Sequence, residues 1–373
     1  MQPYKLVLTA GFAMFSMFFG SGNLVFPLLV GFETSDNYIY AIAGLLVTAV
    51  CVPFLGLLGM VQFKGDRKEY FASLGKIPAF VLTLLMLSLM GPFGVIPRCI
   101  TVAFGGLQLL TPNLSFSLFS LSFCILTGFL IWQRNQIVNI IGLVLTPFKL
   151  GSIILLILVG LYFGEGPLPS LHSAKESFSF GFLQGYQTMD LVAGLFFACT
   201  IYEYLKTNLA SLGSGEDDER RLLKKGIYAS LIGALLLSLV YIGFIMLGAE
   251  YAPFLKNIPP ESMLVEIARH ALGHYAMPIV AVTLAVSCLA TATVLTTLAV
   301  DFLQDDISKN RLNRAQSIFI ILAVAFGISM LGFQSICSLL GTALAWIYPF
   351  LVIYALIQII RKTTCLKGTQ SFQ

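Results

Sequence analysis

The feature that most constrains this chain is a set of ten long, continuously apolar stretches, at roughly 5–31, 38–63, 77–105, 116–132, 136–163, 179–205, 222–249, 276–303, 313–332 and 335–360. A bilayer core is crossed by about 20 apolar residues wound as a helix. The runs are unbroken rather than alternating, which favours helices over barrel strands, and a helix satisfies its own backbone where lipid offers no partner. Only 11% of the residues are charged, against about 25% in a typical soluble domain. Such a chain lacks the polar groups to cover a surface in water. The expectation is an all-α integral membrane protein forming a single membrane domain over 1–373. The first run carries one lysine, Lys5, then an apolar segment too long for a signal peptide and without a small-residue cleavage pattern. It reads as a retained first helix.

The basic residues test the segmentation. With the amino terminus in the cytoplasm, seventeen of the 22 Lys and Arg fall on that side, among them Lys64, Arg67, Lys68, Lys76, Arg134, Lys309, Arg361 and Lys362. Three, Lys175, Lys256 and Arg269, fall on the other, while Arg98 and Lys149 lie inside helices. A bias of this size is the positive-inside pattern, and it predicts cytoplasmic amino and carboxyl termini. The net charge of +4 therefore needs no nucleic acid to explain it. Two longer external loops, 164–178 and 250–275, punctuate the chain, and a short helix is expected in the second from Glu261 to His270. The first loop divides the stretches into five and five, at about 5–163 and 179–360. An odd number of spans per half forces the halves into opposite orientations, an inverted repeat with its site at the midplane.

Within the first stretch the segment FAMFSMFFGSGNLVFPLLVG places Gly20, Ser21, Gly22 and Asn23 four residues before Pro27. Glycine is a poor helix former, and Pro27 removes a donor and clashes with the Asn23 carbonyl. The helix is expected to break near Gly20–Asn23, freeing amides for a carboxylate and carbonyls for a cation; small residues at a tight helix crossing are the alternative. The sixth stretch, GYQTMDLVAGLFFACTIYEYL, would be its inverted partner. Gly194, next to Ala193, is the candidate for a second break, and Phe196 and Phe197 for an apolar wall or ordinary core. Asp190, near the outer end of that stretch, is either a helix cap at the interface or a gating or coupling carboxylate, since an intramembrane carboxylate is expensive. Arg98, between Pro92 and Pro97, either pairs with a carboxylate such as Asp190 or snorkels outward, and Lys149, after Pro147, reads most simply as snorkelling. In the eighth stretch, Ser287 and Thr291 share a helix face, with Thr293, Thr296 and Thr297 nearby; they could help cage an ion or bond back to their own helix.

Enzyme signatures such as GxxxxGK[ST], HExxH and GxSxG are not found. His172, His270 and His274 sit in or near external loops. All seven cysteines except Cys365 lie in apolar stretches without metal spacing. No cofactor is expected.

FAMFSMFFGSGNLVFPLLVG, MGPFGVIPR, GYQTMD, SCLATA and IYPF, in this order and spacing, resemble the bacterial branched-chain amino acid:cation symporters, the LIVCS family of the amino acid–polyamine–organocation superfamily, over nearly the whole chain. The resemblance implies a LeuT-type fold, a five-plus-five inverted repeat with broken helices 1 and 6, in a bacterial cytoplasmic (inner) membrane. Family members are commonly drawn with twelve spans, against ten here. It implies sodium-driven symport of leucine, isoleucine and valine, with no protein partner specified. Substrate would be held by Gly20, Ser21, Gly22 and Asn23 on the first helix and by Ala193, Gly194, Phe196 and Phe197 on the sixth. Sodium would lie between the carbonyls of Ser16 and Phe19 and the eighth-helix residues Ser287, Ala290 and Thr291. Sodium-coupled relatives of this fold often present two adjacent hydroxyls there, and Ala290 replaces the first. The competing readings are a proton-coupled carrier of another neutral amino acid, with Asp190 as the proton site, an amino acid sensor, and a membrane enzyme.

Overall fold

The computed structural model describes residues 3–132, 146–210 and 218–370. Among them every regular element is a helix. The first stretch is two helices, α1 (Pro3–Phe18) and α2 (Ser21–Thr34). At 16 and 14 residues they reach about 24 and 21 Å, so only the pair together can traverse about 30 Å of hydrocarbon. A turn at Ser35, where φ is 43°, leads into α3 (Tyr38–Leu46), which continues through a widened turn at Val47–Cys51 into α4 (Val52–Gln62). Next come α5 (Arg67–Phe71), capped by the Asp66 carboxylate, and α6 (Lys76–Met90), α7 (Val95–Gln108), α8 (Phe116–Trp132) and α9 (Thr146–Tyr162). Arg134 and the first part of the fifth stretch, 136–145, lie outside the described residues.

The second half runs through α10 (Ala174–Gln187), α11 (Asp190–Ala210), α12 (Asp218–Glu250), α13 (Ala252–Leu255), α14 (Met263–Leu272), α15 (Met277–Phe302), α16 (Arg314–Ser329) and α17 (Phe333–Gln370). Five continuous runs are long and apolar enough to cross a membrane: Ser21–Gln62, Lys76–Gln108, Arg221–Glu250, His274–Ile307 and Phe333–Lys362. A sixth is α10 with α11, bent by 40° at a short break. Helices α1, α8, α9 and α16 are shorter apolar elements. The outer face bears large apolar side chains such as Phe129, Leu158, Leu235 and Trp346, which suit lipid.

Lipid tails are as apolar as leucine, so helices associate through close packing rather than the hydrophobic effect. The chain achieves this with glycine at the crossings. Helix α12 packs along both α1 and α2, and α10 along α3. A Cβ at Gly31 would overlap the Ile245 carbonyl, and one at Gly248 the Leu28 carbonyl. On the second crossing, a Cβ at Gly44 would overlap the Phe178 carbonyl and one at Gly181 that of Ala41. One half of each broken span, α2 of the first and α10 of the sixth, is thereby held at backbone contact distance from its neighbour.

Gly248→Val should force α2 and α12 apart, at a cost of about 1–3 kcal/mol or more. Its thermal unfolding in detergent should begin well below that of the parent, whereas Gly327→Ala, where a Cβ meets nothing within 4 Å, should leave the transition in place.

Candidate functional site

The first break falls at Phe19–Gly20. The Phe19 amide still bonds to the Phe15 carbonyl (2.9 Å), and the Gly20 amide turns back to the Phe18 carbonyl (2.8 Å). Gly20 is extended (φ −119°, ψ −155°), and Ser21 begins α2. This is earlier than the Gly20–Asn23 expectation: Ser21, Gly22 and Asn23 form the first turn of α2, and Pro27 is accommodated inside that helix. Glycine is needed at 20 because a Cβ there would lie 2.7 Å from Cγ2 and 2.8 Å from Oγ1 of Thr291. The amides opening α2 have no partner within their own helix, as at any helix start, and face the break.

The second break is at Thr188–Met189, not at Gly194. Met189 adopts a left-handed conformation (φ 62°) and its amide bonds to the Tyr186 carbonyl (3.1 Å). Gly194 is helical and serves packing, its Cβ position lying 3.4 Å from the Pro53 carbonyl. Because this bent span starts at Ala174, Asp190 stands near its middle and is buried (2% exposed), so it is not an interfacial cap. It opens α11, where the helix dipole favours a carboxylate. The two breaks meet: a Cβ on Gly22 would be 3.1 Å from Thr188 Cα.

Across this junction Asn23 Nδ2 donates to both Asp190 oxygens (2.9 and 3.0 Å) and closely approaches the Tyr241 hydroxyl. Tyr241 on α12 donates to Asp190 Oδ2 (2.5 Å). A buried carboxylate needs such a shell of donors. Sequence reasoning missed Tyr241. Its signal was a lone phenol in the apolar run from Leu235 to Leu247. Beside the network is a cavity of about 20 Å³, lined by Gly20, Ser21, Gly22, Asn23, Asp190, Ala193 and Thr291, and walled by Phe18, Phe197 and Leu295. That is room for about one water. Phe18 and Phe197 meet edge to face, 5.3 Å between centroids. Phe196 points elsewhere, with the Arg67 guanidinium 5.3 Å from its ring. Of the expected substrate residues, all but Gly194 and Phe196 line the cavity.

Arg98 neither snorkels nor pairs with Asp190. It is fully buried, and no ion pair joins the two. Its Nη1 donates to the Gln187 carbonyl (2.9 Å), at the carboxyl end of α10, and its guanidinium lies 5.3 Å from the Phe26 ring. It therefore closes the helix end exposed by the second break.

The carbonyls of Ser16 and Phe19, expected to hold sodium, both accept from Lys149 Nζ, at 3.1 and 3.3 Å. Lys149 is fully buried and lies on the inward stripe of α9 with Thr146, Ile153 and Leu156, so snorkelling is overturned: the stem points into the bundle. On α15 the hydroxyls sort into two groups. Thr293, Thr296 and Thr297 bond back to carbonyls four residues earlier. Ser287 Oγ and Thr291 Oγ1 are buried with no hydrogen-bond partner, as is Ser16 Oγ. Ala290 is buried beside Thr291 and carries no side-chain oxygen. The oxygens suit a cation, but a protein ammonium already holds the two carbonyls, so the set as it stands does not fit sodium.

Residues 4–371 match the family described as "Branched-chain amino acid transport protein". The chain is 26% identical to the branched-chain amino acid permease BraB of Bacillus subtilis, the match covering 99% of this chain and 85% of that one. It is 26% identical to the permease BrnQ of Salmonella typhimurium over 92% and 77% of the two chains. Among solved structures it resembles Mhp1, a nucleobase-cation-symport-1 family transporter in a closed conformation, with a TM-score of 0.61 at 13% identity over 91% of this chain and 74% of that one. It also resembles MhsT in complex with L-phenylalanine, with a TM-score of 0.57 at 15% identity over 88% and 79%. At such identities the structural likeness speaks to the fold alone.

Tyr241→Phe removes one donor from a buried carboxylate, and the unfolding free energy should fall by about 1–3 kcal/mol, measurable by denaturant or thermal titration in detergent.

Proposed function

The chain belongs to the branched-chain amino acid transport protein family, and on that premise we propose that it imports leucine, isoleucine and valine across a bacterial inner membrane in symport with a cation. The supporting observation is the Asn23–Asp190–Tyr241 network, which ties the two helix breaks together beside an apolar-walled cavity. A free amino acid brings a carboxylate, an ammonium group and, here, a branched hydrocarbon. The amides opening α2 suit the carboxylate, as helix N-termini do. Asp190 in its ionised form suits the ammonium, the Ser16 and Phe19 carbonyls at the end of α1 being taken up by Lys149. Phe18, Phe197 and Leu295 suit the aliphatic chain, at about 0.8 kcal/mol per buried CH₂. The cavity of about 20 Å³ is far below the roughly 300 Å³ of an ordinary ligand pocket, so helices must part to admit substrate. Alternation between such arrangements is a population shift, which substrate drives only by binding one of them better.

The arrangement we propose has ten spans in two inverted fives, with both termini cytoplasmic. It draws on the charge bias of the loops and on the paired interruptions of the first and sixth stretches. For the cation, the resemblance implies sodium at Ser16, Phe19, Ser287, Ala290 and Thr291. The geometry favours a proton at Asp190 instead, because Lys149 holds the two carbonyls that sodium would use. Asn23 and Tyr241 contact Asp190 directly, with Thr188, Arg98 and Tyr348 near enough to act on its charge.

The test is radiolabelled leucine uptake into proteoliposomes under imposed proton or sodium gradients. We expect accumulation under the proton gradient, competed by isoleucine and valine. Accumulation under sodium alone would retire Asp190 as the proton site but keep the substrate. No uptake by folded protein under any gradient would sink the transport reading in favour of a sensor. Asn23→Ala should insert normally yet lower uptake by about tenfold or more, the loss expected from one charge-assisted hydrogen bond of about 1.5–3 kcal/mol.

A further inference from the structure

We propose that the Lys149 ammonium is a tethered cation that takes sodium's place between α1 and α15, so that this chain works without sodium at that position. The inference departs from the sodium reading and does not depend on which amino acid is carried.

Three independent observations converge. The break at Phe19–Gly20 frees carbonyls at the end of α1, and Lys149 Nζ accepts the role of their partner, donating to Ser16 O (3.1 Å) and Phe19 O (3.3 Å) while standing 5.5 Å from the centroid of the Phe19 ring. The side chain is fully buried on the inward stripe of its helix, so no relaxation toward the membrane surface is open to it. On the facing helix the first hydroxyl of the expected pair is missing: Ala290 offers no side-chain oxygen, while Ser287 Oγ and Thr291 Oγ1 are left without hydrogen-bond partners.

The surroundings explain why an ammonium is tolerated there. Among the described residues no carboxylate lies within ion-pair distance of Lys149; the titratable groups beside it are the Cys99 and Cys288 thiols on α7 and α15. Its charge is met by carbonyl dipoles and a π face, as a bound cation's would be. A sodium ion would have to share those carbonyls with a fixed positive charge, and like charges in a water-poor interior repel strongly. The covalent tether also removes a concentration dependence: a soluble ion braces the end of α1 against α9 and α15 only while bound, whereas Lys149 does so at any ion concentration. With the stem cut back, the Ser16 and Phe19 carbonyls and the idle Ser287 and Thr291 hydroxyls would be the oxygens left for a free ion.

The test is a thermal unfolding titration of the purified full chain in sodium chloride against choline chloride at equal ionic strength, run with and without leucine. The parent should unfold at the same temperature in both salts. Lys149→Ala should acquire a saturable, sodium-specific rise of about 5 °C or more, as expected when an ion binds only the folded state, and adding Thr291→Val should abolish it. If Lys149→Ala does not fold, Lys149→Ser is titrated in its place. A saturable sodium-specific stabilisation of the parent, or a folded Lys149 variant indifferent to sodium, would overturn the proposal. Leucine that shifts none of the proteins would count against the substrate reading alone, since the sodium comparison is made without it.

Discussion

Two helices are interrupted in the middle of an apolar bundle, and the backbone groups this frees can be satisfied only by the protein itself. An unpaired amide or carbonyl in hydrocarbon costs several kcal/mol. The structure answers with charged side chains placed at the freed helix ends. Lys149 closes the carbonyl end of α1, Arg98 closes that of α10, and Asp190 sits at the amino end of α11. Each choice puts a charge of the sign the local dipole prefers at a helix end. The buried charges are therefore consequences of the breaks.

The same breaks make the centre of the bundle polar and adjustable. Asn23, Asp190 and Tyr241 come from three helices and meet at one carboxylate. Such a network is stable when complete and costly when partly broken. Parting the helices to admit an amino acid would strain it unless the substrate supplied replacement partners. A zwitterion can do this at both ends, which gives a physical reason for substrate to favour one arrangement over another.

Glycine acts at two scales in this chain. At Gly20 it allows the extended turn beneath Thr291, and at Gly22 it lets the two breaks touch. At Gly31, Gly248, Gly44 and Gly181 it brings whole helices to backbone contact. Those crossings hold α2 and α3 against α12 and α10. Any motion that opens the cavity must pivot around these tight contacts or break them.

The sequence by itself determined the environment, the helical class, the family and the neighbourhood of both interruptions, because these follow from runs of residue type and from local backbone chemistry. Continuous apolar stretches demand lipid, and Gly20 through Pro27 demands an irregularity. The register was not legible. The first break moved to Phe19–Gly20 because Pro27 fits within α2, and the second fell at Met189 because a left-handed turn there, rather than the flexible Gly194, joins the helices. Partners were also hidden: that Asp190 meets Tyr241 rather than Arg98, and that Lys149 turns inward to the carbonyls of Ser16 and Phe19, depends on contacts between residues 51 to 133 positions apart. A side chain's type sets what it can bond, but only the packing of helices against one another decides which buried group it reaches.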